Sequence, residues 1–169
     1  TLASHDTFSF SAGDHPWLNH EWLAELIFFG VWKMGGVPAV LLLRPLLVMA
    51  SFGLIPWLAF RETTAPIHAV FPVALLACGQ GLYFVDARAY LFTYLFLSIT
   101  MLSLVQYRHS EKWWWLVVVV SIVPLWANMH GGFILGPGVW GLAAVGFLYE
   151  RKFRLARNAF IVTTLGLLG

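Results

Sequence analysis

Charge is what this chain has least of: Asp, Glu, Lys and Arg make up 11% of its 169 residues, against roughly one quarter in a soluble domain. With 60% apolar residues, 17% aromatic and a mean hydropathy of +0.78, the shortage excludes a soluble globule, whose core could not absorb that much apolar surface. A single cysteine, Cys78, excludes an intrachain disulfide and, lying in an apolar run, reads as a small buried hydrophobe. No cysteine cluster, P-loop or G-x-S-x-G is present. His20-Glu21 fails as a zinc-protease motif because Ala24 stands where the second histidine belongs. The first twenty residues lack the n-region and h-region of a signal peptide, and no soluble domain, low-complexity tract or internal repeat is visible.

What charge there is falls in a pattern. Breaks at Arg61-Glu62, Arg108 to Lys112 and Glu150 to Arg157 hold seven of the ten Lys and Arg. The breaks between them carry Asp86, Arg88, Asn128 and His130. Under the positive-inside rule the first kind lies in the cytoplasm and the second faces outward. The net charge of +2 therefore reports membrane topology and gives no sign of a nucleic-acid partner.

The sequence predicts an all-α, polytopic transmembrane bundle. Residues 1–20, with turn signals at Gly13-Asp14 and Pro16, form an extracytoplasmic loop. Residues 21–35 form a juxtamembrane helix stopped by Gly35-Gly36, and 36–169 the bundle. A helix of about fourteen residues reaches about 21 Å and carries Glu21, Glu25 and Lys33, which suits the interface better than the hydrocarbon. Lying flat, it keeps Glu21 on the side of Asp86, Arg88 and His130; crossing, it would send Glu21 to the basic side. Spans are expected at 38–60, 66–84, 89–107, 111–127 and 132–149, with a sixth from about 157. That last run covers only about 18 Å before Gly169, so the chain reads as a fragment with further helices before Thr1 and after its end. Trp113 to Trp115 and Trp126 bracket one span as an aromatic belt, and Gly132 with Gly136 makes a small-xxx-small pair suited to tight packing.

Three groups converge on the predicted outer face: His5, Asp6, Asp14, His15, His20 and Glu21; Asp86 and Arg88; Asn128 and His130. Acid, base and cation at one membrane surface are what transfer from a phosphate-bearing lipid requires. A carboxylate acts as base or holds a divalent metal, and Arg or His meets the leaving phosphate. Plainer readings compete: Asp86 and Arg88 as helix-end residues paired to each other, Asn128 and His130 as hydrogen-bonding links between helices, Asp6 and Asp14 as turn residues.

The run HEWLAELIFFGVWKMGGVPAVLLLRPLLVMASFGLIPWLAFR, from His20 to Arg61, resembles the passage in GT-C membrane glycosyltransferases where the first outer loop ends in a juxtamembrane helix. Phe28 to Gly36 stand at the F-x-G-like stop of that passage, and Arg44 at the early arginine of the following span. DTFSFSAGDHPWLNHEWL and WANMHGGFILG also resemble bacterial members whose outer loop runs D-x-F-S before H-E-W-L, although Trp17 to His20 replace the KPP-type donor motif of some branches. The resemblance implies an inverting transferase in the bacterial inner membrane, its site facing outward, taking a sugar from a polyprenyl-phosphate donor. It implies an acidic residue of the first outer loop as base or as ligand of a divalent metal (Mg or Mn), with Asp6 the nearest match. The convergence of polar groups adds Glu21 as a second candidate catalytic acid and His20, Asp86, Arg88, Asn128 and His130 as candidate substrate contacts. Alternatives are an O-antigen ligase or polymerase, a transporter with Arg88 and His130 along its path, and a scaffold without a site. Sugar, acceptor and oligomeric state stay open.

Overall fold

The structure, a computed structural model, describes residues 19–62, 79 and 86–168. Asp6 and the rest of the first loop to Leu18, Cys78, and nearly all of the span expected at 66–84 lie outside the described residues. Among the described residues the chain is all-helical, without a strand: α1 (Trp22–Glu62), α2 (Tyr90–Ser110), α3 (Trp114–Ala127), a 3-10 turn (Gly131–Ile134), α4 (Leu135–Tyr149) and α5 (Phe153–Leu168).

α1 is two limbs in one element. Gly35 (φ −153°, ψ 20°) and Gly36 (φ 61°, ψ −156°) leave the helical region, and the second conformation is one that essentially only glycine adopts. Pro38 follows where its fixed φ suits the first turn of the second limb. The break redirects the chain. The Phe28 ring lies 5.7 Å from that of Phe92 and the Phe52 ring 5.7 Å from that of Tyr94, so both limbs meet the same part of α2. In an unbroken helix residues 28 and 52 would stand about 36 Å apart. The second limb runs on beside α2, where Ser98 Oγ donates to the Ser51 carbonyl at 2.8 Å.

Short connections join α2 through α5, as in up-and-down bundles, which gives the bundle two ends. At one end, Arg108, Glu111, Glu150 and Arg154 from three connected helices share ion pairs. At the other, Thr93 of α2, Trp126 of α3 and His130 before α4 share hydrogen bonds. The breaks at 108–112 and 150–157 thus gather at a basic end, and those at 86–88 and 128–130 at a mixed polar end. A core of Ala24, Val48, Leu91, Phe92, Phe96 and Trp126 lies under the polar end, and one of Tyr107, Val123, Trp140, Phe147 and Ala159 under the basic end.

Three stretches are long and apolar enough to cross a membrane by length and composition: Trp22–Leu54, Tyr90–Ser110 and Gly131–Tyr149. Exposed Leu42, Leu142, Val145 and Phe160 on the flanks suit lipid and would be costly in water. Two helices differ from expectation. α3 has 14 residues, about 21 Å, because Glu111 turns left-handed (φ 52°) to close α2 and the turn through Lys112 delays α3 to Trp114. α5 begins at Phe153 instead of about 157, because a Schellman closure compresses the preceding turn into three residues. Its bonds are Lys152 N–H to the Phe147 carbonyl and Arg151 N–H to that of Leu148, with Arg151 at φ 58°.

Candidate active site at the polar end

His130 interrupts the helical path between α3 and α4. Its extended backbone (φ −165°, ψ 143°) caps the 3-10 turn, and Nδ1 accepts the Gly132 N–H at 3.0 Å. A backbone N–H can only donate, so Nδ1 is an acceptor. The Thr93 hydroxyl, 2.9 Å from the same nitrogen, must therefore give its proton to it, while Thr93 Oγ1 accepts from Trp126 Nε1 at 2.9 Å. This chain of donors places the neutral ring's proton on Nε2. That nitrogen faces Glu21 Oε1 at 3.7 Å, close enough for attraction and too long for a hydrogen bond. Both side chains are about one-third exposed, so an Nε2–H donor and a carboxylate stand side by side with capacity left for a ligand.

Gly132 makes this packing possible. A Cβ there would come within 2.8 Å of Thr93 Oγ1 and 2.9 Å of His130 Nδ1. Gly136 answers a similar demand one turn on, where a Cβ would meet the Trp126 ring at 3.1 Å. The small-xxx-small pair seen in the sequence thus packs within the chain, the first glycine against the histidine itself.

Glu21 is held in place by the start of α1. Asn19 Oδ1 accepts the Glu21 N–H at 3.0 Å in an Asx turn, and its Nδ2 donates to Glu25 Oε2 at 2.6 Å. Asn128 then clasps α1 to α3. Its Oδ1 accepts from Trp22 Nε1 at 2.8 Å, its carbonyl accepts the Leu23 N–H at 3.2 Å, and its Nδ2 donates to the Pro124 carbonyl at 2.9 Å. Asn128 thus positions Glu21, and its exposed amide keeps one N–H and one lone pair beyond these bonds.

The remaining candidates share no ion pair or side-chain hydrogen bond with this cluster among the described residues. Asp86 and Arg88 pair with each other at 4.0 Å, 76% and 73% exposed respectively, in the turn that leads into α2. Among the described residues Arg88 has no ion pair to Glu21 or His130. So exposed a pair is worth little to stability, which leaves the guanidinium available. His20 is exposed in the turn before α1. Among the described residues no group of three or more metal-binding side chains occurs, and Asp6, the expected metal ligand, lies outside them. Sequence reasoning missed Thr93, Asn19 and Trp22. Only Thr93 left a sign, a hydroxyl in a membrane-length apolar helix.

Comparison of the chain with protein-family models, curated proteins and solved structures returns no match.

Proposed function

We propose that this chain belongs to a membrane glycosyltransferase that takes a sugar from a polyprenyl-phosphate donor at the outer face of a bacterial inner membrane. The observation that carries the reading is the meeting of Glu21 and His130, 3.7 Å apart although far apart in sequence, at the same bundle end as Asp86 and Arg88. The opposite end carries the basic loops that the positive-inside rule assigns to the cytoplasm. The first limb of α1, with Glu25, Lys33 and the exposed Phe29 and Trp32, has the mixed surface of a helix in the headgroup region.

In this reading a carboxylate, Glu21 or Asp6, takes the proton from the acceptor hydroxyl. The hydroxyl oxygen then bonds to the anomeric carbon as the bond from that carbon to the phosphate oxygen breaks. Polyprenyl phosphate departs as an anion, met by the Arg88 guanidinium and the His130 Nε2–H. A divalent metal on Asp6 would share that charge. Thr93, Trp126 and Gly132 keep the histidine in the donating tautomer, so His130 acts as a neutral donor.

The test uses purified full-length protein and a lipid-linked sugar donor. Arg88→Ala and His130→Ala should each lower transfer about a hundredfold or more in protein that still folds. Thermal unfolding should be unchanged in Arg88→Ala and should fall in His130→Ala, which removes the acceptor of the Gly132 N–H. Arg88→Lys keeps the charge and loses the forked geometry, so partial loss is expected. Full activity in both alanine variants overturns the reading.

A further inference from the structure

The basic end carries a second site. Arg108, Glu111, Lys152, Phe153, Arg154 and Leu155 line a cavity of about 320 Å³ where α2 ends and α5 begins. Glu111 in its lining and Glu150 bonded to two of its cations engage them only in part. Glu150 takes one bond from Arg108 Nη2 (2.8 Å) and one from Lys152 Nζ (2.7 Å), and Glu111 pairs with Arg154. Each guanidinium and the ammonium keep further N–H donors, and all three cations stay about half exposed or more. Lys112 and Arg151 in the same turns have no acidic partner among the described residues. From the last turn of α2 to the second turn of α5, Arg108, Lys112, Arg151, Lys152, Arg154 and Arg157 face only Glu111 and Glu150 in these connections. The cavity is therefore a concave, cation-rich surface that favours a phosphate.

A second feature lies further along α5. An apolar groove of about 310 Å³ runs between α3 and α5, lined by Leu116, Val120, Asn158, Ile161 and Leu165 among others. Arg154, Asn158, Ile161 and Leu165 recur at the spacing of one helix face, so cavity and groove share a single stripe of α5. From Arg154 to Leu165 that stripe is about 16 Å long, close to half of a 30 Å hydrocarbon core. At its head stand exposed aromatics, Phe153, Tyr149 and Trp113, as at a membrane interface.

We propose that this end binds one anionic phospholipid, its phosphate headgroup among Arg108, Lys152 and Arg154 and an acyl chain in the α3–α5 groove. The site is separate from the Glu21–His130 cluster and does not depend on the transferase reading. Basic pockets between membrane helices recognise headgroups in this way, and the groove adds what a free phosphate cannot use.

Native mass spectrometry of the purified full-length protein, released from micelles holding equal phosphatidylglycerol and phosphatidylcholine of matched chains, tests it. One phosphatidylglycerol should be retained in preference. Arg154→Gln should weaken its retention about fivefold, and Arg154→Lys should restore most of it. Lys33→Gln, the same charge loss at the other end, should leave it unchanged. Ile161→Trp, which fills the groove, should also weaken retention in protein whose circular dichroism melt matches wild type. If that variant does not fold, inorganic phosphate at the lipid's concentration decides: it should fail to displace the lipid. Equal retention of both lipids, no effect of Arg154→Gln, or full displacement by inorganic phosphate would each overturn the proposal.

Discussion

A histidine near the end of an apolar helix has many uses, and at position 130 hydrogen bonding selects one. Because Gly132 N–H and Thr93 Oγ both meet Nδ1, the ring proton stands on Nε2 and His130 presents a donor to Glu21. The arrangement depends on a missing side chain. In Gly132→Ala the new Cβ meets Thr93 and His130 Nδ1 at under 3 Å, and neither is the far end of a flexible chain. The variant should lose about 1–3 kcal/mol by thermal unfolding in detergent, and the histidine nitrogen NMR shifts should lose the single-tautomer pattern. An unchanged melt with unchanged shifts would show that the pocket yields freely and that the tautomer is set elsewhere.

The elements are joined by turns of different legibility. Gly35-Gly36 announces its break, since two adjacent glycines before a proline have little other use, and Gly36 takes a conformation open essentially to glycine alone. The closures of α2 and α4 give no such sign. Each puts a non-glycine residue, Glu111 at φ 52° and Arg151 at φ 58°, in the left-handed region. That is why the sequence pattern places the starts of α3 and α5 a few residues away from where they fall. Glu111 has a reason to be there, for its carboxylate holds Arg154. Nothing in the structure explains Arg151 over glycine. Arg151→Gly should accordingly raise stability by about 0.5–1 kcal/mol, the left-handed cost less glycine's extra entropy when unfolded. A lower melting temperature in that variant would show that the Arg151 side chain makes a contribution of its own.

At the scale of the molecule, the basic end is held by carboxylates that tie α2, α4 and α5 together. The hydrogen bond from Lys152, with the charges of Arg108 and Lys152 beside it, holds the Glu150 carboxyl below its ordinary value of 4.5 despite partial desolvation. A carboxyl lowered on folding stabilises the folded state above its unfolded value, and that contribution goes as the pH falls through the folded value. Melting temperatures of wild type and Glu150→Gln in detergent should therefore differ at pH 7 and converge below about pH 4.5. A gap that stays constant down to pH 3 would mean that Glu150 acts through packing and not through its charge.

What the sequence by itself determined is the class of molecule: apolar runs too long and too many for a soluble core, and charge confined to breaks of two kinds, which are local properties of composition and spacing. It also marked the glycine break and placed Glu21, Asp86, Arg88, Asn128 and His130 on one side. Which of them meet was decided only by tertiary structure. Glu21 reaches His130 because the break in α1 folds the first limb back over α2 and because Asn128 clasps it. Arg88 stays with Asp86 because the turn before α2 leaves both in the open. Thr93 and Trp126 could be seen as a hydroxyl and an indole in apolar helices, but their joint role could not, since Thr93 meets His130 at 2.9 Å and Trp126 Nε1 at 2.9 Å only where α2 and α3 pack. Helix periodicity tells which face of each element is apolar; the partners of a polar group depend on distances between elements, which no run of neighbouring residues encodes.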